Sequence, residues 1–109
     1  MAALVATLPG ATVTVTGGLN RPPLHESMTK ELFAIAEKVA SDYGISGLRG
    51  VAVGGGSDGN LTAAVGVKTL DGLGAVGAGA HAETEHIQLD MMPERAALVA
   101  GLVQSIANG

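Results

Sequence analysis

The chain has 109 residues, 6 Lys and Arg against 10 Asp and Glu for a formal charge of −4, and no cysteine. That length suits one modest domain. The lack of a basic cluster argues against a nucleic-acid partner, because phosphate contacts need grouped Lys and Arg, and the lack of thiols excludes a disulfide framework and Cys-based zinc sites. The opening residues, MAALVATLPG, lack the basic start of a secretory signal, and no apolar run is long enough to span a bilayer. The expectation is a cytoplasmic protein with no membrane partner.

Residues 2–8 are apolar and read as the last turns of a helix, broken by Pro9-Gly10. ATVTVT then alternates, with Val13 and Val15 on one face, the period of a half-buried strand. Gly17-Gly18 ends it, and Asn20-Arg21-Pro22-Pro23 forces an extended connector, since a residue before proline avoids the helical region. Ser27 is a plausible N-cap for a helix in which Leu32, Ile35, Ala36, Val39 and Tyr43 recur at helical spacing. Gly44 stands where a glycine C-cap belongs. Phe33 and Tyr43 read as core packing. Residues 48–53 read as a buried strand, 58–65 as a two-turn helix ended by Gly66, and 67–70 as a short strand. Residues 72–80, GLGAVGAGA, carry four glycines that let the backbone approach another group closely. Residues 85–89 alternate, and Pro93 fits the first turn of a final helix with Val99, Val103 and Ile106 along one side and Leu98 and Leu102 adjacent. The order favours α/β.

The stretch GVAVGGGSDGN, residues 50–60, admits three readings. Gly54, Gly56 and Gly59 match G-x-G-x-x-G after a strand and before a helix, with Asp71 further on, the outward marks of a dinucleotide site. Two features weigh against that. A helix between Gly59 and Gly66 is only about 10 Å long, and Asp71 lies early for a ribose contact. No Gly-Lys-Ser/Thr follows, so a Walker loop is excluded. In the second reading the glycines only turn the chain and Asp58 caps the helix. In the third, backbone N–H groups at the helix start hold an anion, which a carboxylate suits as well as a phosphate.

His81 follows the Gly/Ala run. Zinc needs three or four protein donors. If residues 81–85 were extended, His81, Glu83 and Glu85 would share a face, while His86 would point the other way.

Taken together, GGGSDGN, KTLDGLGAVGAGAHAETEH and PERAALVAGLV resemble the C-terminal part of zinc-dependent glutamate carboxypeptidases. Aminoacylases, acetylornithine deacetylase and succinyl-diaminopimelate desuccinylase belong with them. The resemblance covers about residues 20–107, and residues 1–19 look like the tail of that family's inserted lid domain. It implies that residues 20–109 are the C-terminal part of the catalytic domain, a partial three-layer α/β unit with a mixed sheet flanked by helices. His81, Glu85, His86 and Ile87 meet the family's His-x-x-x-Glu-aromatic-aliphatic pattern, with His86 where Tyr is common.

By position, the resemblance implies that His81 completes the second zinc of a dinuclear pair. It implies that the Gly56 N–H faces the substrate carboxylate, with Ser57 and Asp58 beside it. Arg21, at the lid hinge, matches the arginine that grips the same carboxylate, and its planar fork suits that task. The parent reaction would be hydrolysis of an amide next to a free carboxylate, as in an N-acyl amino acid or a C-terminal glutamate.

The family's other zinc donors come from an His-x-Asp motif, a bridging Asp and a Glu-Glu pair whose first Glu is the general base. Neither His-x-Asp nor Glu-Glu occurs here. The expectation is therefore a C-terminal fragment, inactive alone. In the parent fold the strand at 48–53 would lie between neighbours partly supplied by the missing half. Its open edge calls for self-association or a complementary N-terminal half. Two other classes remain open: a non-catalytic module that binds a carboxylate or a partner chain, and a dinucleotide-binding domain.

Overall fold

A helix closes its hydrogen bonds within itself, whereas a strand needs a partner from elsewhere in the chain. That difference decides which expected elements form. The structure is a computed structural model that describes residues 4–109. It contains helix α1 (Lys30–Asp42), helix α2 (Gly59–Ala64), strands β1 (Gly77–Ala78) and β2 (His86–Ile87), and helix α3 (Met92–Asn108). The fold class is mixed α/β.

Helix α1 forms where its apolar spacing predicts. Its start differs from expectation. A 3-10 turn over Glu26–Met28 comes first, with the Ser27 N–H donating to His25 Nδ1 at 3.3 Å. The Met28 and Thr29 amides are already taken by the His25 and Glu26 carbonyls, both at 2.9 Å. Ser27 therefore lies inside the turn, and Thr29 precedes the helix. The other end matches: Gly44 adopts φ +69°, and the Ile45 N–H reaches back to the Ala40 carbonyl at 2.8 Å.

Helix α3 carries Pro93 in its first turn, as expected. Its buried side is Leu98, Gly101 and Leu102, which pack on Ala36, Val39 and Ala40 of α1. Val103 and Ile106, on the other side, are exposed. Ile35, Ile45, Leu48 and Leu73 close around Val39, Ala40 and Leu98. Gly101 is where the helices come closest: a Cβ there would lie 2.6 Å from Val39 Cγ1 and 2.9 Å from Tyr43 Cε2. Phe33 is half-buried, but Tyr43 is exposed rather than part of the core, with one ring edge against Gly101.

Most strand expectations differ from the structure. Residues 12–16, 48–53 and 67–70 have no ladder partner among the described residues and are irregular. Residues 4–8 form no helix, and residues 2 and 3 of that expected segment lie outside the described residues. Only the pattern at 85–89 finds a partner, shortened to β2, which pairs antiparallel with β1 in the register Gly77 to Ile87 and Ala78 to His86. The glycine-rich run makes this pairing, because any side chain at Gly77 would strike the His86 carbonyl group and lie 3.1 Å from Ile87 Cα.

The consequence is an open molecule. Its radius of gyration is 19.4 Å, against about 13 Å for a compact domain of this length. The accessible surface is 8435 Å², where a compact monomer of this size exposes about 5,500 Å². Val51, Val53 and Val65, at 68%, 77% and 78% exposure, belong to that excess.

Candidate functional site

The glycine loop is built from its own polar side chains. The Ser57 N–H donates to Asn60 Oδ1 at 2.9 Å, and the Asn60 N–H donates to the Ser57 carbonyl at 3.2 Å. Ser57 Oγ accepts the Gly59 N–H at 3.1 Å. This is the reciprocal logic of a capping box, with Asn in the place of Glu or Gln. Asp58 was expected to cap α2, but its side chain makes no cap hydrogen bond and is 98% exposed. Ser57 caps instead because its shorter side chain reaches the Gly59 amide while its hydroxyl donates to Asp71 Oδ2 at 2.6 Å.

Asn60 also ties the loop to the arginine segment. It is buried at 8% exposure, and its Nδ2 donates to the Pro22 carbonyl at 2.9 Å. That bond fixes the chain next to Arg21, whose Nη1 donates to the Ser57 carbonyl at 2.7 Å. Arg21 Nε is held by Asn20 Oδ1 at 3.1 Å, and the Asp58 carboxylate stands 4.0 Å from Nη1. The Arg21 stem passes 3.4 Å from where a Cβ on Gly56 would stand, so a side chain at that position would press on the arginine. The amides of Ser57, Gly59 and Asn60 are used inside the loop, whereas those of Gly54, Gly55 and Gly56 donate to no described residue.

Arg21, Gly56, Ser57 and Asp58 thus come together from sequence positions some 36 residues apart. Asn60, absent from the expected set, connects the two segments. Its signal was present in the sequence, since Ser57-x-x-Asn60 has capping-box spacing. The sequence points to Asp71 only for a ribose contact. Its carboxylate instead bonds Ser57 Oγ and the Gly72 N–H, the latter at 2.8 Å.

His81 stands apart from this cluster. It lies in a turn at φ +66°, is exposed, and its N–H donates to Glu85 Oε2 at 3.4 Å. Residues 81–85 are not extended, so the shared face of His81, Glu83 and Glu85 does not arise; a left-handed His81 turns the chain between β1 and β2. Among the described residues, no group of three or more His, Asp or Glu side chains is placed to hold a metal ion. As placed, the described donors therefore do not form a zinc site by themselves. The crossover that a dinucleotide loop needs is likewise unformed, because α2 has 6 residues and the segments on either side of it make no ladder.

Around the cluster runs a groove of about 1310 Å³, floored by residues 48–56 and walled by the start of α1, residues 21–24 and residues 70–73. No helix is long and apolar enough to cross a membrane among the described residues.

Comparison with curated proteins and with solved structures gives no match. Residues 4–105 match the family described as peptidase family M20/M25/M40. Members are metallopeptidases and related hydrolases that generally use metal ions. The match covers nearly the whole chain, and the chain belongs to the M20/M25/M40 peptidase family.

Proposed function

We propose that the chain is the C-terminal part of a zinc-dependent M20 hydrolase of the glutamate carboxypeptidase and aminoacylase type. On this reading residues 1–19 are the tail of the lid domain and 20–109 the end of the catalytic domain. The reaction is hydrolysis of an amide next to a free carboxylate. Arg21 and the Gly56 N–H hold that carboxylate, Ser57 and Asp58 shape the loop around it, and His81 is one of several metal donors. The remaining donors and the general base come from polypeptide outside this sequence, so the chain alone does not turn over substrate. A second copy or a complementary N-terminal half covers the excess apolar surface.

One observation carries the reading: Arg21 is anchored on the Ser57 carbonyl at 2.7 Å, its Cδ lies 3.4 Å from where a Cβ on Gly56 would stand, and the Gly56 N–H donates to no described residue. A guanidinium and a nearby backbone N–H are donors that suit a carboxylate. Calorimetry of the metal-free chain with N-acetyl-glutamate tests it. We expect saturable binding with a Kd of about 1 mM, abolished in Arg21→Ala. Unchanged binding in that variant, or none in the wild type, would refute the cradle. The same chain with added zinc or cobalt is expected to show no hydrolysis above background.

The second reading is a non-catalytic carboxylate-binding module, which shares with the first the lack of a three-donor metal cluster among the described residues. Mixing in a polypeptide that carries His-x-Asp and Glu-Glu separates the two readings, since only the enzyme part gains activity.

A further inference from the structure

Asp58 has no work inside the fold. Its side chain caps nothing, is 98% exposed, and pairs with no cation but Arg21 among the described residues. The backbone sets its place: Asp58 leads into α2, and Ser57 before it receives Arg21 on its carbonyl at 2.7 Å. Asp58 Oδ1 therefore stands 4.0 Å from Arg21 Nη1, too far for a hydrogen bond. On Arg21, Nη1 serves the Ser57 carbonyl and Nε serves Asn20 Oδ1, while Nη2 donates to no described residue. Two opposite charges stand side by side, each open to a ligand. Asp71, the other carboxylate beside the loop, differs. Its Oδ2 accepts from Ser57 Oγ at 2.6 Å and its Oδ1 from the Gly72 N–H at 2.8 Å.

A carboxylate that binds Arg21 also meets the charge on Asp58. A ligand that carries only negative charge is repelled by it. A ligand with a cationic nitrogen next to the carboxylate is attracted. In an α-amino acid the nitrogen stands about 2.5 Å from the carboxyl carbon, short enough to bridge charges 4.0 Å apart.

We propose that Asp58 receives the α-ammonium of a free amino acid whose carboxylate lies between Arg21 and the Gly56 N–H. This rests on the carboxylate cradle of the proposed function and adds a second charged contact with its own preference. Hydrolysis adds water across the amide, so the acyl carbon leaves as a carboxylate and the nitrogen as an ammonium. The charge that Asp58 reads thus exists only in the amino-acid product, which competes with the N-acyl substrate for the same place.

Calorimetry of the metal-free chain with glutamate and with N-acetyl-glutamate tests the proposal. Glutamate should bind about fivefold more tightly, since exposed charge pairs act weakly. Asp58→Asn should move the two ligands in opposite directions: glutamate about threefold weaker, N-acetyl-glutamate about twofold tighter. Both effects should shrink as salt rises from about 0.05 to 0.5 M. Asp58 is exposed and caps nothing, so the variant should keep its fold, checked by circular dichroism. Equal weakening of both ligands would report a purely structural role and overturn the proposal. So would a glutamate preference that survives in Asp58→Asn, because the ammonium would then sit on another group, or N-acetyl-glutamate binding as tightly as glutamate in the parent chain. Each of these outcomes leaves the cradle standing. Binding of neither ligand by the parent chain would remove the cradle and this proposal together.

Discussion

Replacing Gly101 by Ala tests the packing that holds the site's scaffold together. In an exposed helix the change gains about 1 kcal/mol, because alanine loses less backbone freedom than glycine. At Gly101 the new methyl would lie 2.6 Å from Val39 Cγ1, 2.9 Å from Tyr43 Cε2 and 3.0 Å from Tyr43 Oη. Tyr43 is 52% exposed and has room to swing away. Val39 is 5% exposed and β-branched within α1, so it has one favoured rotamer and little space to yield. Overpacking of this kind costs about 1–3 kcal/mol. Set against the helix gain, a net loss of about 1 kcal/mol is expected. Urea denaturation followed by circular dichroism measures it. Val39→Ala in the same chain removes the offending methyl, so the double variant should be more stable than the two single effects summed, by about 0.5 kcal/mol or more. A Gly101→Ala chain as stable as the parent, or no coupling to Val39, would refute this account of how α1 and α3 meet.

Asn60→Ala leaves the Ser57 N–H and the Pro22 carbonyl without their partner, for a loss of about 1–3 kcal/mol in the same denaturation assay. It should also weaken N-acetyl-glutamate binding, since the segment that carries Arg21 loses its tie through the Pro22 carbonyl to the loop. Ser57→Ala removes both the Gly59 cap and the bond to Asp71, and should cost about 1 kcal/mol. Arg95→Lys replaces a fork spanning two carbonyls with a single ammonium, so backbone order parameters over residues 72–74 should fall while the amides of α3 stay protected from exchange. Metal analysis after dialysis against zinc should return less than one tightly held ion per chain, in keeping with a donor set that needs three or four members.

The helices were legible in the sequence because their signals are local. α1 shows apolar residues at helical spacing and a glycine after its last turn, and α3 shows proline in its first turn. Caps were less so: Ser27 has the right chemistry, but His25 and Glu26 start a 3-10 turn that consumes the amides it would cap. Strands were the weakest reading. The alternation at 12–16 and the apolar run at 48–53 report what those residues suit, yet a ladder needs a second segment at the right distance, and among the described residues only 85–89 has one, in the glycine run at 77–78. In the site, the resemblance to glutamate carboxypeptidases points to Arg21, Gly56, Ser57 and Asp58, and the fold brings them together. Asn60 went unnamed, although the Ser-x-x-Asn spacing that gives it its role is plain in the chain. His81 was expected ahead of a strand, but its left-handed turn depends on β1 folding back on β2, which no local pattern shows.

The proposed cradle would hold an anion between Arg21 and the Gly56 amide, and amide chemical shifts read that contact residue by residue. Titrating the nitrogen-labelled, metal-free chain with N-acetyl-glutamate should move the Gly56 amide and its neighbours in the loop while His81 stays still. N-acetyl-glutamine amide, which carries no carboxylate, should move none of them. Shifts at Gly56 that are the same for both compounds, or no shift there at saturating acid, would contradict the account.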